Sequence, residues 1–153
     1  MNQTRPVMIV EDSDEDFEVT SWALEKAGFS GEIIRCVRAE EALLQLCPAP
    51  PSPDQPVSTQ GHSLPCVVLL DLNLLGMNGI DLLTAVRSSE RPPAVPIVVL
   101  STSSNPRDIA ACYRLGAAGY LCKPLKIEHY VEKLLGLIHY WLATVTLPPT
   151  DGP

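Results

Sequence analysis

Five short apolar runs, each followed by a stretch of helical character, constrain this chain more than any other feature. The runs are Val7–Val10, Ile33–Val37, Val67–Leu70, Pro96–Leu100 and Tyr120–Cys122. An apolar run without charge reads as a strand buried on both faces. Strands alternating with helices predict a doubly wound parallel sheet with helices on both faces, an α/β fold. Between the runs, helices are expected from about Asp14 to Ala27, where Gly28 stops the helix, and over 39–47, with Ala42, Leu43 and Leu46 inward. A third opens at Asn78 and Gly79, with Ile80, Leu83, Ala85 and Val86 inward, and a fourth spans 106–115, with Ile109, Cys112 and Tyr113. The last runs from Ile127 to Ala143, with Ile127, Val131, Leu134, Ile138 and Trp141 on one stripe. Residues 6–143 read as one domain and residues 144–153 as a proline-rich tail without helix. Pro48 to Pro65 holds six prolines and no hydrophobic period, so it reads as an extended loop inserted within the domain.

Charge and cysteine usage narrow the functional classes. A formal net charge of −7 argues against nucleic-acid binding driven by phosphate neutralisation. No apolar run approaches a membrane span, and nothing after Met1–Pro6 resembles a signal core, so a soluble, cytoplasmic protein is expected. Cys36, Cys47, Cys66, Cys112 and Cys122 are scattered, without metal-ligand spacing, and read as reduced, mostly buried thiols. His62, His129 and His139 are isolated and read as surface residues.

Chemistry collects at the strand ends. The first run ends in Glu11-Asp12, the third in Asp71, the fourth in Ser101 and the fifth in Lys123. In open α/β sheets, ligands bind outside the carboxyl ends of the strands, so these groups are expected to converge on one edge. Asp14, Glu15 and Asp16 are explained as a solvated helix start capped by Ser13. Three clustered carboxylates need a neutralising cation, and a hard divalent ion such as Mg²⁺ suits an oxygen site with few protein ligands. A strand-end carboxylate beside such an ion is suited to attack phosphorus and form an aspartyl phosphate. Lys123 offers positive charge to the transferring group and Ser101 a hydrogen bond.

Val10-Glu11-Asp12, Asp71 through Gly79, Val99-Leu100-Ser101 and Gly116 through Pro124 together resemble the motif set of response-regulator receiver domains of two-component signalling. The resemblance covers about residues 6–140. It implies a CheY-like, flavodoxin-like sheet of order 2-1-3-4-5, Mg²⁺ dependence and an aspartate phosphorylated by a histidine kinase. By position, Asp71 corresponds to the phosphoacceptor. Asp12, Asp71 and the backbone carbonyl of Asn73 correspond to metal ligands, with Glu11 acting through water. Ser101 and Lys123 correspond to phosphoryl-binding groups, and Tyr120 to a rotamer switch coupled to Ser101. The resemblance also implies a cis Lys123–Pro124 bond. Three positions depart from the pattern: Glu11 where Asp is commonest, Leu75 where Pro is usual and expected to loosen the loop, and Thr102 where Ala is frequent.

Tyr140 through Pro148 and Ser101-Thr102-Ser103 are similar to single-domain regulators that partner phytochrome-type histidine kinases. This implies such a kinase as partner and a homodimer through the last helix, with Tyr140 and Trp141 at the interface. Output by protein–protein contact is expected, because no DNA-binding or enzymatic segment follows residue 143. A haloacid-dehalogenase-type phosphatase also uses a strand-end Asp, but it needs an acid two residues on, where Asn73 stands. A pseudo-receiver that never accepts phosphate is the other alternative; every key group is nevertheless present. A nucleotide-binding fold lacks its Gly-rich loop after the first strand.

Overall fold

A computed structural model of the chain describes residues 5–50 and 63–149. The elements alternate in chain order: β1 (Val7–Val10), α1 (Asp14–Lys26), β2 (Ile33–Cys36), α2 (Ala39–Leu46), β3 (Val67–Asp71), α3 (Gly79–Arg87), β4 (Ile97–Ser101), α4 (Pro106–Arg114), β5 (Gly119–Cys122) and α5 (Ile127–His139). The strands form one parallel sheet in the order β2-β1-β3-β4-β5. Strand parity divides the core into two layers. Met8, Val10, Val68, Leu70, Ile97 and Val99 pack under α2, α3 and Cys112 of α4. Val7, Ile9, Val67, Leu69, Val98 and Leu100 pack against α1 and α5.

The central strands β1, β3 and β4 are buried along their whole length, which explains their unbroken apolar runs. Local sequence sets the helix starts. Ser13 Oγ accepts from the Asp16 N–H at 3.3 Å to cap α1. Asn78 and Asp81 form a reciprocal capping box at α3. Asn105 caps α4, with Pro106 at its first position. Gly28, at φ 88°, lets the chain leave α1.

Three expectations change. The last helix does not run unbroken to Ala143; α5 ends at His139 and continues as a π-helical turn over Tyr140–Thr144. Its core-facing residues are Tyr130, Leu134, Ile138 and Leu142, while Ile127 is exposed. Leu134 and Ile138 lie on the expected stripe, while Tyr130 and Leu142 take the places expected of Val131 and Trp141, one position away; the Tyr130 hydroxyl disguises a buried ring. Tyr113, expected inward on α4, is 51 % exposed, and Cys112 alone of that helix is buried. The Lys123–Pro124 bond is trans, as are all peptide bonds of the described residues; trans is the lower-energy isomer even before proline.

The proline-rich insertion lies largely outside the described residues, at 51–62. Its far end is fastened by Arg5, a buried guanidinium that donates to the carbonyls of Leu64 (3.2 Å), Pro65 (2.7 Å) and Pro148 (2.7 Å). One side chain thus ties the N-terminus, the end of the insertion and the C-terminal segment together.

Gly79 starts α3 directly against the phosphoacceptor-candidate strand: a Cβ there would lie 2.7 Å from the Asp71 carbonyl oxygen and 2.8 Å from Leu72 Cα. Gly136, in the exposed middle of α5, has nothing within 4 Å of its Cβ position. Gly79→Ala is expected to cost about 1–3 kcal/mol through forced backbone movement, whereas Gly136→Ala gains about 0.5–1 kcal/mol from helix propensity. Urea denaturation of the two variants checks the opposite signs.

Candidate functional site: an acidic pocket with a buried lysine

Parallel register brings the strand ends level. Val10 pairs with Leu70, Asp71 with Leu100, and Ser101 with Cys122. The next residues along, Glu11 and Lys123, therefore flank Asp71 and Ser101 on one edge. The Glu11 N–H donates to the Cys36 carbonyl and the Lys123 N–H to the Ser101 carbonyl, extending the ladders by one step. Glu11, Asp71 and Ser101 are all buried.

Glu11, Asp12 and Asp71 each present a carboxylate oxygen within 4.8 Å of the others. Lys123 Nζ reaches into this group, 3.3 Å from Glu11 Oε2 and 3.6 Å from Asp71 Oδ2. It also pairs with Asp16 Oδ2 at 3.1 Å. Burial works against the ammonium, but Asp71, Tyr130, Glu11 and Asp16 together hold its pKa above the ordinary lysine value. Burial pushes the Glu11 carboxyl up to about 7; Lys123 opposes the shift and Asp71 adds to it.

Backbone donors orient the acids. Ser13 N–H donates to Glu11 Oε1 at 3.1 Å and Asn73 N–H to Asp71 Oδ1 at 3.0 Å. The Leu75 N–H donates to Asp12 Oδ2 at 3.3 Å. Proline has no N–H, so the departure at Leu75 gives the loop after β3 a link to Asp12. Arg35, on the edge strand β2, donates to the carbonyls of Glu11 (3.3 Å) and Asp12 (3.4 Å) and pairs with Asp14 at 2.7 Å. Its guanidinium lies 4.5 Å from the Phe17 ring centroid. Sequence reasoning passed over Arg35; the signal was a single charge in an apolar strand whose register places it opposite Ile9, two residues before the acidic pair.

On the β4 side, Ser101 Oγ accepts from the Ser103 N–H at 3.1 Å. The Ser103 carbonyl in turn accepts from the Tyr120 hydroxyl at 2.9 Å. Ser103 Oγ donates to Asp108 Oδ2 of α4 at 2.6 Å. Tyr120 is partly buried against the α2–α3 layer. The cysteines play no part in the acidic pocket: Cys36, Cys66 and Cys112 are buried, and burial raises their pKa values, Cys36 to about 11. His129 and His139 are exposed, and His62 lies outside the described residues.

The receiver-domain family model, described as a response regulator receiver domain, matches residues 7–135. The chain belongs to the response-regulator receiver family. It is 31 % identical to the response regulator Rcp1 of Synechocystis, over 96 % of this chain and 95 % of that protein. It is 33 % identical to the probable methanogenesis regulatory protein FilR2 of Methanothrix harundinacea, over 89 % of this chain and 83 % of that one. The structure of the phosphorylated cyanobacterial phytochrome response regulator RcpA matches with a TM-score of 0.80 at 29 % identity, covering 95 % of this chain and 99 % of that one. The Mn²⁺-bound form of Rcp1 matches with the same TM-score, identity and coverage.

This receiver is therefore a two-component response regulator, with the flavodoxin-like sheet order of its family. Its acidic pocket of Glu11, Asp12 and Asp71 corresponds to the place where receivers bind a divalent metal. The residues fit that ion: the donors are all oxygen, and three carboxylates face one ammonium. No helix of the described residues is long and apolar enough to cross a membrane.

Glu11 should show its position in pH dependence. Its folded pKa, about 7, lies above the ordinary 4.5, so the folded state holds this proton more tightly than the unfolded chain. Stability is then lost as pH rises from about 4.5 to about 7. With divalent ions chelated, Glu11→Gln is expected to be more stable than wild type at pH 8 by about 1–3 kcal/mol, with little difference at pH 4. Paired urea titrations at the two pH values measure it; a variant destabilised at pH 8 would contradict this electrostatic picture.

Proposed function

We propose that Asp71 accepts a phosphoryl group from a histidine kinase in a Mg²⁺-dependent step, and that the protein signals through protein–protein contact rather than by turning over a substrate. The observation that carries this reading is the buried Asp71 carboxylate, 3.6 Å from the Lys123 ammonium and in one cluster with Glu11 and Asp12. Asp12, Asp71 and the Asn73 carbonyl would hold Mg²⁺, with Glu11 contributing through water; the ion would supply positive charge to offset that of the phosphoryl oxygens. One Asp71 oxygen forms the bond to phosphorus as the donor's P–O or P–N bond breaks. Its other oxygen stays aligned by the Asn73 N–H.

Ser101 and Lys123 then receive the phosphoryl oxygens. Ser101 is linked to the Ser103 N–H, and the Ser103 carbonyl to Tyr120, so a pull on Ser101 reaches the switch tyrosine through one residue. The same Ser103 anchors Asp108 near the start of α4. These contacts support Tyr120 as the switch that changes the α4–β5 face.

The likeness in sequence to Rcp1 and in structure to the phytochrome response regulator RcpA supports a phytochrome-type histidine kinase as phosphodonor. The homodimer reading is narrowed by the structure. Trp141 folds in part onto its own core beside Leu142, so it is less available than expected. Tyr140 is 49 % exposed and stands edge-on to Trp141, with centroids 5.2 Å apart. We therefore assign the dimer contact chiefly to Tyr140, with Trp141 backing it. The absence of an acid at Asn73 and the receiver-family match both weigh against the haloacid-dehalogenase alternative.

Incubation with acetyl phosphate and Mg²⁺ should add one phosphoryl group by intact mass, abolished by EDTA and in Asp71→Asn. The same samples on size-exclusion chromatography report whether phosphorylation changes assembly. A folded wild type that takes up nothing from acetyl phosphate or from a phytochrome-type kinase would favour the pseudo-receiver.

A further inference from the structure

Asp16 lies outside the metal cluster and has no part in the scheme above, yet it makes the shortest of the three carboxylate contacts to Lys123. Its Oδ2 is 3.1 Å from Nζ, against 3.3 Å for Glu11 and 3.6 Å for Asp71. The ammonium donates hydrogen bonds to Asp16 and Glu11, while Asp71, the residue that would need it, is the most distant. We propose that Asp16 is a positioning residue that holds Lys123 toward the α1 edge and competes for it with the phosphoryl group, thereby slowing phosphorylation. The proposal rests on Asp71 being the phosphoacceptor.

The geometry favours competition. Asp16 is fixed on the first turn of α1: its N–H donates to Ser13 Oγ and its carbonyl accepts from Thr20 Oγ1 at 3.0 Å. Lys123 instead arrives from the end of β5, on a long flexible stem. Beneath it, the buried ring of Tyr130 from α5 lies with its centroid 6.0 Å from Nζ, which leaves the ammonium to move between carboxylates rather than deeper into the core. Asp16 is 43 % exposed, whereas Glu11 and Asp71 are almost fully covered, so a phosphodonor approaching Asp71 meets the Asp16 charge near the pocket mouth. With acetyl phosphate, Asp71 forms the new P–O bond, the donor's P–O bond to acetate breaks, and acetate leaves. The carboxylate's single charge is replaced by a phosphoryl group of higher charge, and Lys123 must leave Asp16 to compensate it.

The test is the rate of phosphorylation by acetyl phosphate with saturating Mg²⁺, followed by intact mass. It uses wild type, Asp16→Asn, Asp16→Glu, Lys123→Gln and the Asp16→Asn/Lys123→Gln pair. Asp16→Asn is expected to react about three- to tenfold faster than wild type, with Asp16→Glu near wild type. In the Lys123→Gln background the same change has little effect, because the competition is gone. In about 1 M salt, where screening reaches about 3 Å, the Asp16→Asn gain persists. A rate equal to or below wild type would overturn the proposal and leave Asp16 a helix-start acid. An equal gain with and without Lys123, or a gain that vanishes in salt, would overturn it in favour of simple repulsion of the donor. Failure of the underlying reading looks different: wild type takes up no phosphoryl group, or Asp71→Asn takes one up.

Discussion

The Lys123 ammonium is the contact on which the site depends. Four carboxylates converge where α1, β1 and β3 meet, and two of them, Glu11 and Asp71, are buried. Without a cation they would repel one another and resist ionisation. Lys123 lies within 3.1–3.6 Å of Glu11, Asp16 and Asp71, and it comes from β5, the opposite edge strand from β2. Buried ion pairs of this kind contribute little to net stability, because desolvation offsets much of the attraction. Their value here is a poised charge distribution. The pocket is short of positive charge by design of its donors, so a divalent cation is drawn to it. The lysine, shared among several partners, is free to respond when the charge on Asp71 changes.

The sheet makes this arrangement from residues distant in sequence. Parallel pairing in the order β2-β1-β3-β4-β5 places β1 and β3 side by side at the centre, with β4 next. Register then sets Glu11, Asp71, Ser101 and Lys123 on one edge. Nothing in the apolar core needs these groups. The core needs the strands to be Val- and Leu-rich on both faces, and that requirement delivers the polar residues to the rim where each strand ends. Local bonds then refine the rim. Arg35 fixes the carbonyls of the acidic pair from β2, and the Leu75 N–H reaches Asp12 from the loop after β3.

Much of this was legible in the sequence because the signals are periodic or terminal. Apolar runs ending in Glu11, Asp71, Ser101 and Lys123 announce a parallel sheet and its rim. Ser13, and Asn78 with Gly79, mark helix starts within a residue. What escaped was set by tertiary context. Asp16 looks like any acid in a first helical turn, and only the fold shows its carboxylate facing an ammonium 107 residues away. Tyr130 has no place on the stripe expected of the last helix, yet its ring is core and lies beneath Lys123. The stripe of α5 begins at Tyr130 rather than Val131 for the same reason, since an aromatic with a hydroxyl does not declare which end is buried. Trp141 reads as surplus to a five-stranded core, but a wide π-helical turn at Tyr140–Thr144 directs Leu142 inward and lets the indole rest partly on the same layer.

From the acidic pocket, one hydrogen-bonded route leaves toward the surface. Ser101 is tied to Ser103, and Ser103 to both Tyr120 and Asp108. Charge added at Asp71 therefore has a short path to β5 and the start of α4. The most direct test is amide NMR of the Mg²⁺-loaded protein as beryllofluoride, a stable stand-in for the phosphoryl group, is added. Perturbations are expected at residues 11–13, 71–75 and 101–108, and at Tyr120 through Lys123, and they should be lost in Asp71→Asn. Binding that perturbs only the loop after Asp71, leaving Ser103, Tyr120 and Lys123 unchanged, would contradict the account.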